Sequence, residues 1–393
     1  MKNTALMFSV IVSLLFLFAI PAAAEEDTNS ANSTPELAGD AKSAILIERD
    51  TGKILFDKNT DEKLPPASMT KVMTLLLIME ALETGTLEYD EVIQVSERAA
   101  SMGGSQIFLE AGEEMSVKDL LKGVAVASGN DASVALAERI AGSEEAFVER
   151  MNERAKQLGL ENTKFQNVTG LPADDHYSTA YDMAMMAKEL LKYEEVTNYT
   201  SIYEDYLRKG QENEFWLVNT NKLIRSYPGV DGLKTGFTNA AKYCLTATAE
   251  KNDMRVIAVA MGADTPKERN KAVAGMLDYA FNNFSTKKLF EKDEKITELR
   301  LLKAKNRQID IVASESISTV FQKGEDTDKI RTTAEMADDL SLPLKKGDQV
   351  GILKVHKEGE VVSETPLTVN QDVNKASYLT FLKRTLQELV KTD

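Results

Sequence analysis

The chain has 393 residues, more than one domain usually holds, and its 43% hydrophobic and 28% charged residues are ordinary for a globular protein. The formal net charge is −15 and no basic patch can be recognised along the sequence, which argues against a nucleic-acid partner. One cysteine, Cys244, excludes an intramolecular disulfide, and two histidines argue against a histidine-ligated zinc site. We expect no metal and no other cofactor.

The first residues have the pattern of a secretory signal peptide. Lys2 is followed by an apolar stretch from Ala5 to Ile20 and then by the small residues 22–24. This order predicts cleavage after Ala24; the alternative is an uncleaved membrane anchor, for which the apolar stretch is short. We expect an exported protein whose residues 25–40, polar and without periodicity, form a flexible leader.

Residues 41–286 have the pattern of one α+β domain. Residues 44–58 predict a hairpin, and residues 65–192 mainly have the three-to-four spacing of helices. Three strand patterns follow, DGLKTGF, KYCLTATAE and MRVIAVAMG, and then a last helix from Arg269 to Phe284. Cys244 lies in the second of these patterns, as a small core residue would. Because strands flank the helical part, we expect one sheet that gathers the first and last strands.

Residues 287–374 predict a small all-β sandwich domain, because short alternating segments are separated by charged turns. The segments are RLLKAK, IDIVAS, ISTVF, QVGILKVHK and EVVSETPLTV.

The C-terminal residues 375–393 predict an amphipathic helix. Leu379, Leu382, Leu386 and Leu389 share one helical face, and basic and polar residues occupy the other. Such a helix suits a membrane interface; the alternative is a terminal helix packed against its own domain.

The stretch PASMTK places Ser68 and Lys71 three residues apart, on one face of a helix that begins after two prolines. A serine at a helix N-terminus beside a lysine in apolar surroundings can act as a nucleophile with its base. A serine–histidine pair would have to use His176 or His356. The pair by itself is also compatible with a helix cap and a solvated lysine, and S-x-x-K recurs at residues 285–288.

Two more motifs support the interpretation of Ser68 and Lys71 as part of an active site. SGND, residues 128–131, joins two apolar helices, where a polar turn either faces a cleft or caps the next helix through Ser128 or Asn130. KTG, residues 234–236, lies inside a strand pattern, where Lys234 and Thr235 could offer donors to an anion and glycine permits close approach.

S-x-x-K, S-x-N and K-T-G in this order are the motifs of penicillin-binding proteins and class A β-lactamases. The chain resembles the D-alanyl-D-alanine carboxypeptidases among the low-molecular-mass penicillin-binding proteins, peptidase family S11, and most of all those associated with sporulation. The resemblance covers everything after the signal peptide. It implies a β-lactamase/transpeptidase-like domain, an antiparallel sheet with helices, followed by the small β domain and a membrane-anchoring helix. It also implies export to the outer face of the cytoplasmic membrane or the cell wall.

The resemblance assigns roles to eight residues. Ser68 would attack the carbonyl of the penultimate D-alanine of a peptidoglycan stem pentapeptide, Lys71 would take its proton, and Ser128 would pass a proton to the leaving amine. Asn130 would bind the substrate amide; Lys234, Thr235 and Arg269 would bind the terminal carboxylate, and Gly236 would leave room beside the substrate. The backbone N–H of Ser68 and one near residues 237–238 would form the oxyanion hole. β-Lactam antibiotics would acylate Ser68.

One position departs from the family pattern and two alternatives stay open. Phe237 follows K-T-G where some relatives carry histidine, which affects the expected pH response. A class A β-lactamase would need a deacylating glutamate in E-x-x-L-N, and no such sequence occurs. A non-catalytic penicillin sensor would be expected to add a transmembrane helix and a cytoplasmic module.

Overall fold

The computed structural model describes residues 37–325, 329–337 and 339–389, so the predicted signal peptide and most of the predicted leader lie outside the described residues. Residues 37–40 are attached to the folded domain. Ala38 is buried in the core, and Lys58 Nζ donates hydrogen bonds to the carbonyl oxygens of Ala38 and Gly39, both at 3.0 Å. The prediction of a flexible leader is therefore wrong for these four residues, because Leu37 and Ala38, the apolar side chains of this stretch, pack against the core.

The described residues form helices and strands from end to end. The strands are β1 (Ser43–Glu48), β2 (Ile54–Lys58), β3 (Val92–Gln94), β4 (Glu114–Ser116), β5 (Glu204–Leu207), β6 (Phe215–Val218), β7 (Val230–Thr238), β8 (Lys242–Lys251), β9 (Met254–Ala263), β10 (Phe284–Phe290), β11 (Lys295–Arg300), β12 (Gln308–Ala313), β13 (Ile317–Gln322), β14 (Ile330–Met336), β15 (Gln349–Lys357) and β16 (Glu360–Val369). The helices are α1 (Lys71–Glu83), α2 (Glu97–Ala100), α3 (Val117–Ala127), α4 (Asn130–Ala141), α5 (Glu144–Gln157), α6 (Ala180–Leu190), α7 (Val196–Thr200), α8 (Leu223–Ser226), α9 (Pro266–Asn283) and α10 (Tyr378–Leu389). A 3-10 helix, Ala67–Thr70, directly precedes α1.

The first sheet has the strand order β2-β1-β9-β8-β7, and all its pairs are antiparallel, so the predicted gathering of first and last strands is confirmed. Alternate side chains of β1 enter different cores. Ile45 and Ile47 pack with the helices α1 and α3–α6, whereas Leu46 packs with α9 on the other face. Both faces are covered, which is why β8 and β9 are apolar almost throughout. Cys244 is buried in β8 as predicted, and burial raises the pKa of its thiol to about 11.

Strand β7 is at one end of this sheet, so in the described part of the chain one of its edges has no neighbouring strand. This strand contains the K-T-G motif. An edge strand offers unpaired backbone groups to which an extended peptide can add as a further strand.

The later strands form two antiparallel sheets that share one apolar core. The five-stranded sheet has the order β11-β12-β16-β15-β14, and β10 pairs with β13. Ile311 and Leu353 of the larger sheet pack with Ile317 of β13, as expected for a sandwich. The prediction of a strand over RLLKAK is wrong: β11 ends at Arg300, and the Ala304 N–H bonds to the Leu301 carbonyl in a turn.

Helix α10 contacts the β domain through its polar face. The Arg384 guanidinium donates hydrogen bonds to the carbonyl oxygens of Leu302 (3.2 Å), Ala304 (2.6 Å) and Lys305 (3.0 Å). Tyr378 and Leu379, on the apolar face, are 77% and 76% exposed. Among the described residues no helix is long and apolar enough to cross a bilayer.

Candidate active site

The predicted nucleophile, Ser68, lies in the 3-10 helix Ala67–Thr70 at the start of α1, which we call the nucleophile segment. Ser68 lies within the 3-10 helix and is half-buried, and Lys71 is the first residue of α1. The Lys71 side chain has no solvent exposure, so the alternative of a solvated surface lysine is wrong. The second S-x-x-K motif lies on β10, where residues three apart point to opposite faces, and Lys288 pairs with Glu291 at 3.0 Å.

Lys71 Nζ has three polar neighbours. It lies 2.6 Å from Asn130 Oδ1, 2.8 Å from the Thr169 carbonyl oxygen and 3.4 Å from Ser68 Oγ. A neutral amine has two N–H donors and one lone pair. Two carbonyl-type acceptors use the two donors, which leaves the lone pair for the Ser68 hydroxyl proton.

Burial favours this neutral form of Lys71. Burial, and next the positive charge of Lys234, hold the pKa of Lys71 well below its usual value, while Asp131 opposes the shift. The cause is desolvation: a buried ammonium loses its hydration and has no carboxylate in hydrogen-bond contact to replace it. The lysine is therefore suited to accept a proton near neutral pH.

The SGND turn connects α3 to α4 in a strained conformation. Ser128 ends α3 with φ +63° in the left-handed region, where serine is uncommon, and Gly129 precedes α4. Neither Ser128 nor Asn130 caps a helix with its side chain, so the simple cap interpretation is wrong. The Ser128 Oγ is buried and has no hydrogen-bond partner in the part of the chain that the structure describes. A buried hydroxyl without a partner, two residues before the Asn130 that contacts Lys71, is available to a ligand.

Asp131 fixes the loop GGSQIFLE, residues 103–110, against this turn. Its carboxylate accepts hydrogen bonds from the backbone N–H groups of Ile107 (3.0 Å) and Leu109 (3.1 Å). Asn130 joins the same loop, because its side-chain Nδ2 donates to the Gly103 carbonyl at 2.7 Å. Asp131 has no role that the sequence predicts; its signal is a carboxylate in the first turn of a helix that is apolar from Val134 to Ala137.

We predict that Asp131→Asn destabilises the protein by about 1–3 kcal/mol, because one acceptor of two buried N–H groups becomes a donor. The charge of Asp131 raises the pKa of Lys71, so its removal should also shift the acidic limb of the acylation rate to lower pH. Thermal unfolding and the pH dependence of penicillin acylation measure both effects. The exposed Asp57→Asn is the matched control. An unshifted limb would contradict the electrostatic part of this prediction.

The K-T-G residues line the edge strand beside the nucleophile. Lys234 is buried, with its Nζ 3.1 Å from the Thr235 carbonyl, and Thr235 Oγ1 lies 2.7 Å from Thr220 Oγ1. Thr220 was not identified from the sequence, which shows there only a polar turn, Asn219–Asn221. The sequence predicts that Gly236 leaves room for substrate, but the structure gives another reason for glycine at this position. A Cβ there would lie 2.7 Å from the Pro66 carbonyl oxygen, so only glycine lets β7 approach the nucleophile segment this closely.

Gly170 supports the same segment from another side. Its φ is +82°, and a Cβ would fall 1.8 Å from the Ala67 carbonyl oxygen and 2.9 Å from the Ser68 nitrogen. Thr169, whose carbonyl contacts Lys71, precedes it. Asn167 Oδ1 accepts the N–H of both residues, at 3.1 Å and 2.7 Å, and closes the turn. This turn was also missed from the sequence, although the Asn-Val-Thr-Gly order is typical of one.

Lys234 and Arg269 are two buried basic side chains whose positive charges act on each other. Burial, and next the charge of Arg269, lower the pKa of Lys234 to about 7, and burial lowers the pKa of Arg269. Arg269 is 5% exposed and donates to Asn270 Oδ1 at 2.8 Å. Two neighbouring buried cations favour an anionic ligand, because a carboxylate would offset both desolvation and repulsion.

His176 is hydrogen-bonded to Thr70, the last residue of the 3-10 helix, and in the described part of the chain neither histidine hydrogen-bonds to Ser68, Lys71 or Lys234. His176 Nδ1 accepts the Gln166 N–H at 3.2 Å, so its Nε2 is the donor to Thr70 Oγ1 at 2.8 Å; burial lowers the pKa of His176 to about 4. His356 lies in the β domain, 2.8 Å from Thr333. Phe237, in the position of the family histidine, is half exposed and stacks on Tyr243 at 4.4 Å between ring centres.

A cleft of about 400 Å³ opens beside the nucleophile segment. Ala67, Gly170 and Leu171 line one side, and Thr238 and Ala240, which follow K-T-G, line another. In the described ranges no cluster of three or more potential metal-ligating residues occurs.

A buried serine–lysine pair, a strained serine turn and a cationic edge strand define a serine hydrolase of the penicillin-recognising class. The sequence profile of D-alanyl-D-alanine carboxypeptidases, peptidase family S11, matches residues 28–265, and that of the penicillin-binding protein 5 C-terminal domain matches residues 284–375. The chain belongs to the D-alanyl-D-alanine carboxypeptidase family S11. It is a serine-type enzyme of that family, with the penicillin-binding-protein fold and a function in cell-wall peptidoglycan.

Relatives match over nearly the whole chain. D-alanyl-D-alanine carboxypeptidase DacF of Bacillus subtilis (strain 168) is 54% identical over 98% of this chain and 99% of its own. DacC of Escherichia coli (strain K12) is 36% identical over 93% and 91%. The crystal structure of penicillin binding protein 5 from Haemophilus influenzae aligns with TM-score 0.68 and 32% identity, over 87% of this chain and 99% of that one. Penicillin-Binding Protein D2 from Listeria monocytogenes, in its ampicillin-bound form, aligns with TM-score 0.57 and 32% identity, over 63% and 100%.

Proposed function

We propose that Ser68, Lys71 and Ser128 catalyse removal of the terminal D-alanine from peptidoglycan stem pentapeptides through an acyl-enzyme. The observation that carries this assignment is the fully buried Lys71 amine, whose two donors are occupied and whose third position contacts Ser68 Oγ.

Acylation begins when Lys71 Nζ takes the Ser68 hydroxyl proton. The Ser68 oxygen attacks the carbonyl carbon of the penultimate D-alanine, and the oxyanion is stabilised by the Ser68 N–H and one from residues 237–238, a contribution of about 3 kcal/mol per donor. The C–N bond then breaks, and the proton passes through the buried hydroxyl of Ser128 to the leaving amine. Free D-alanine leaves, and water attacks the ester carbonyl while Lys71 takes its proton; the ester C–O bond then breaks, the shortened peptide leaves as a carboxylate, and the proton returns to Ser68 Oγ.

Lys234, Thr235 and Arg269 bind the terminal carboxylate, as the buried positive charge of Lys234 and Arg269 and the hydroxyl of Thr235 favour. With the carboxylate at Thr235 and the nucleophile beside Gly236, the rest of the peptide extends along the edge of β7 towards Thr238. Strands advance about 3.3 Å per residue, so the residue before the D-alanines reaches the cleft lined by Thr238 and Ala240. Asn130, between Lys71 and Gly103, binds the peptide amide.

The same groups explain covalent inhibition by β-lactams, which present an amide carbonyl and a carboxylate to Ser68 and Lys234.

The experiment that tests the function incubates residues 25–393 with diacetyl-lysyl-D-alanyl-D-alanine and with fluorescent penicillin. We expect release of D-alanine and, by mass spectrometry, an acyl group on Ser68. Penicillin labelling without D-alanine release would indicate a sensor, and rapid penicillin turnover a β-lactamase.

We propose the following domain boundaries and location for the enzyme. Residues 1–24 act as a signal peptide, residues 41–286 form the catalytic domain, and residues 287–374 form the β domain that connects it to the anchor helix 375–393. The enzyme works outside the cytoplasmic membrane on wall or spore peptidoglycan. The outward apolar face of α10 supports membrane anchoring, because a helix packed as a simple domain element would bury that face.

We predict that deletion of residues 376–393 releases the protein from membranes and leaves hydrolysis of soluble peptide unchanged, because the helix supplies no group to the active site. Membrane fractionation and the D-alanine assay measure the two properties. A truncated protein that still pellets with membranes would show that the helix is only a packing element.

A further inference from the structure

Two segments of the β-domain region carry seven basic residues and no acidic ones. Residues 299–308 contain Arg300, Lys303, Lys305 and Arg307, and residues 373–387 contain Lys375, Lys383 and Arg384. Neither segment contains aspartate or glutamate, although the whole chain has a net charge of −15. Glu298, Asp310, Asp372 and Glu388 lie just outside these segments, so the positive charge, opposite in sign to that of the whole chain, is confined to the segments themselves.

The backbone brings the two segments side by side. The Lys305 N–H bonds to the Asn374 carbonyl at 2.7 Å, and the Ala376 N–H bonds to the Lys303 carbonyl at 2.8 Å. Arg384 then fastens α10 to the same turn through three carbonyl oxygens. This pairing explains why no basic patch can be recognised along the sequence: the cluster exists only after folding.

Five of these side chains are exposed and form what we call the basic surface: Arg300, Lys303, Lys305, Lys375 and Lys383. The like charges act on one another, because Arg300 and Arg384 add to desolvation in lowering the pKa of Arg307. Crowded positive charge at a surface favours an extended anionic partner.

Exposed apolar side chains accompany the basic surface. Leu302 is exposed within the turn, and Tyr378, Leu379 and Leu382 are exposed on α10. At about 100° per residue, Leu382 lies about 160° around the helix from Arg384, so fastening the arginine to the domain turns the leucines outward. Basic groups beside exposed leucine and tyrosine match the headgroup and acyl regions of a bilayer. A purely anionic polymer would use the charges but not the leucines.

We propose that the basic surface and the apolar face of α10 together form one docking site for a bilayer that carries anionic phospholipids, with the β domain itself contacting the headgroups. This inference rests on the proposed membrane anchoring by α10. It adds that the charged turn 302–305 contributes to binding and that Arg384 sets the orientation of the helix.

The test measures cosedimentation of residues 25–393 with vesicles of phosphatidylcholine alone or with about one third phosphatidylglycerol. We expect tighter binding to the anionic vesicles, and this gain should fall as salt rises. K303E/K305E should weaken anionic-vesicle binding at least about tenfold, since each basic residue near such a surface contributes about a factor of five. The control K287E/K292E, an exposed lysine pair of the same domain, should bind like the wild type.

Each outcome separates the inference from the anchoring proposal. Equal binding of K303E/K305E and its control would overturn the inference while anchoring stands, provided that deletion of 376–393 abolishes vesicle binding. Undiminished binding of the deleted protein would overturn both. Wild-type binding that is equally tight to both vesicle types, or that survives L379S/L382S and is competed by soluble polyglycerol phosphate, would also overturn the lipid assignment. D-alanine release from soluble peptide reports that each variant is folded.

Discussion

Replacement of Ser68 by alanine is expected to abolish both D-alanine release and covalent labelling by penicillin, with a loss of at least about 10⁴-fold in kcat/KM. Both reactions require the same oxygen to attack a carbonyl carbon, and alanine has none. The half-buried hydroxyl makes one contact of 3.4 Å with Lys71, so its removal should change thermal stability little. The D-alanine assay, gel fluorescence after penicillin labelling and thermal unfolding measure the three quantities.

The chain provides its own control for this variant. Ser285 begins the second S-x-x-K motif, on β10, where the lysine three residues later cannot share its face. Ser285→Ala should retain both activities. D-alanine release by the Ser68→Ala protein would refute the mechanism, whatever the control shows.

Replacement of Lys71 by methionine should reduce acylation about 10²–10⁴-fold, the usual contribution of a positioned general base. Lys71→Arg should be similarly impaired, because a guanidinium stays protonated and cannot accept the Ser68 proton. Stopped-flow acylation by penicillin measures the rate directly. The matched control is Lys288→Met, which removes a surface lysine paired with Glu291. Near-normal acylation by Lys71→Arg would exclude the base role.

The same variants test the electrostatics through pH. In the wild type, acylation should decrease as pH falls through the lowered pKa of Lys71, because the protonated amine cannot act as base. The same lowered pKa of Lys71 should also make the free energy of unfolding depend on pH. The folded-state pKa lies below the unfolded value of about 10.4, so between the two values the unfolded chain binds more protons and stability rises with pH. Lys71→Met should lose its share of that rise and be more stable than the wild type below this range.

A second buried lysine, Lys234, has the same sign and acts in a different range. Its pKa of about 7 means that its cost to stability grows as pH falls from the unfolded value to about 7 and is then complete. Two buried amines thus lower the stability of the fold at neutral pH. A carboxylate bound beside Lys234 would offset part of this cost, because an opposite charge favours the protonated amine.

Much of the site could be predicted because its motifs are local patterns. Ser68 with Lys71, Ser128 with Asn130, and Lys234 with Thr235 are close in sequence, and the helix, turn and strand that carry them have clear periodicity. The strands β7, β8 and β9 were predictable for the same reason, since nearly continuous apolar runs indicate burial on both faces. The exposed strand β14, IRTTAEM, lacks such a signal and was missed.

Other features depend on contacts between distant residues and have no local signal. Asp131 bonds to Ile107 and Leu109, and Thr169 contacts Lys71 from almost a hundred residues away. Position 236 likewise requires glycine because Pro66, which is distant in sequence, lies against it in the fold.

The sequence by itself determined the chemical groups, their order and the family to which they belong, because these are properties of residue type and spacing. Only the tertiary structure decided in which S-x-x-K motif the lysine is buried beside its serine, and that burial favours the neutral form of Lys71, because helix and strand geometry create that difference. It alone also placed Arg384 on the turn at residues 302–305, with Leu379 and Leu382 exposed beside the basic surface. Charge and desolvation act through space, and the chain must fold before those distances exist.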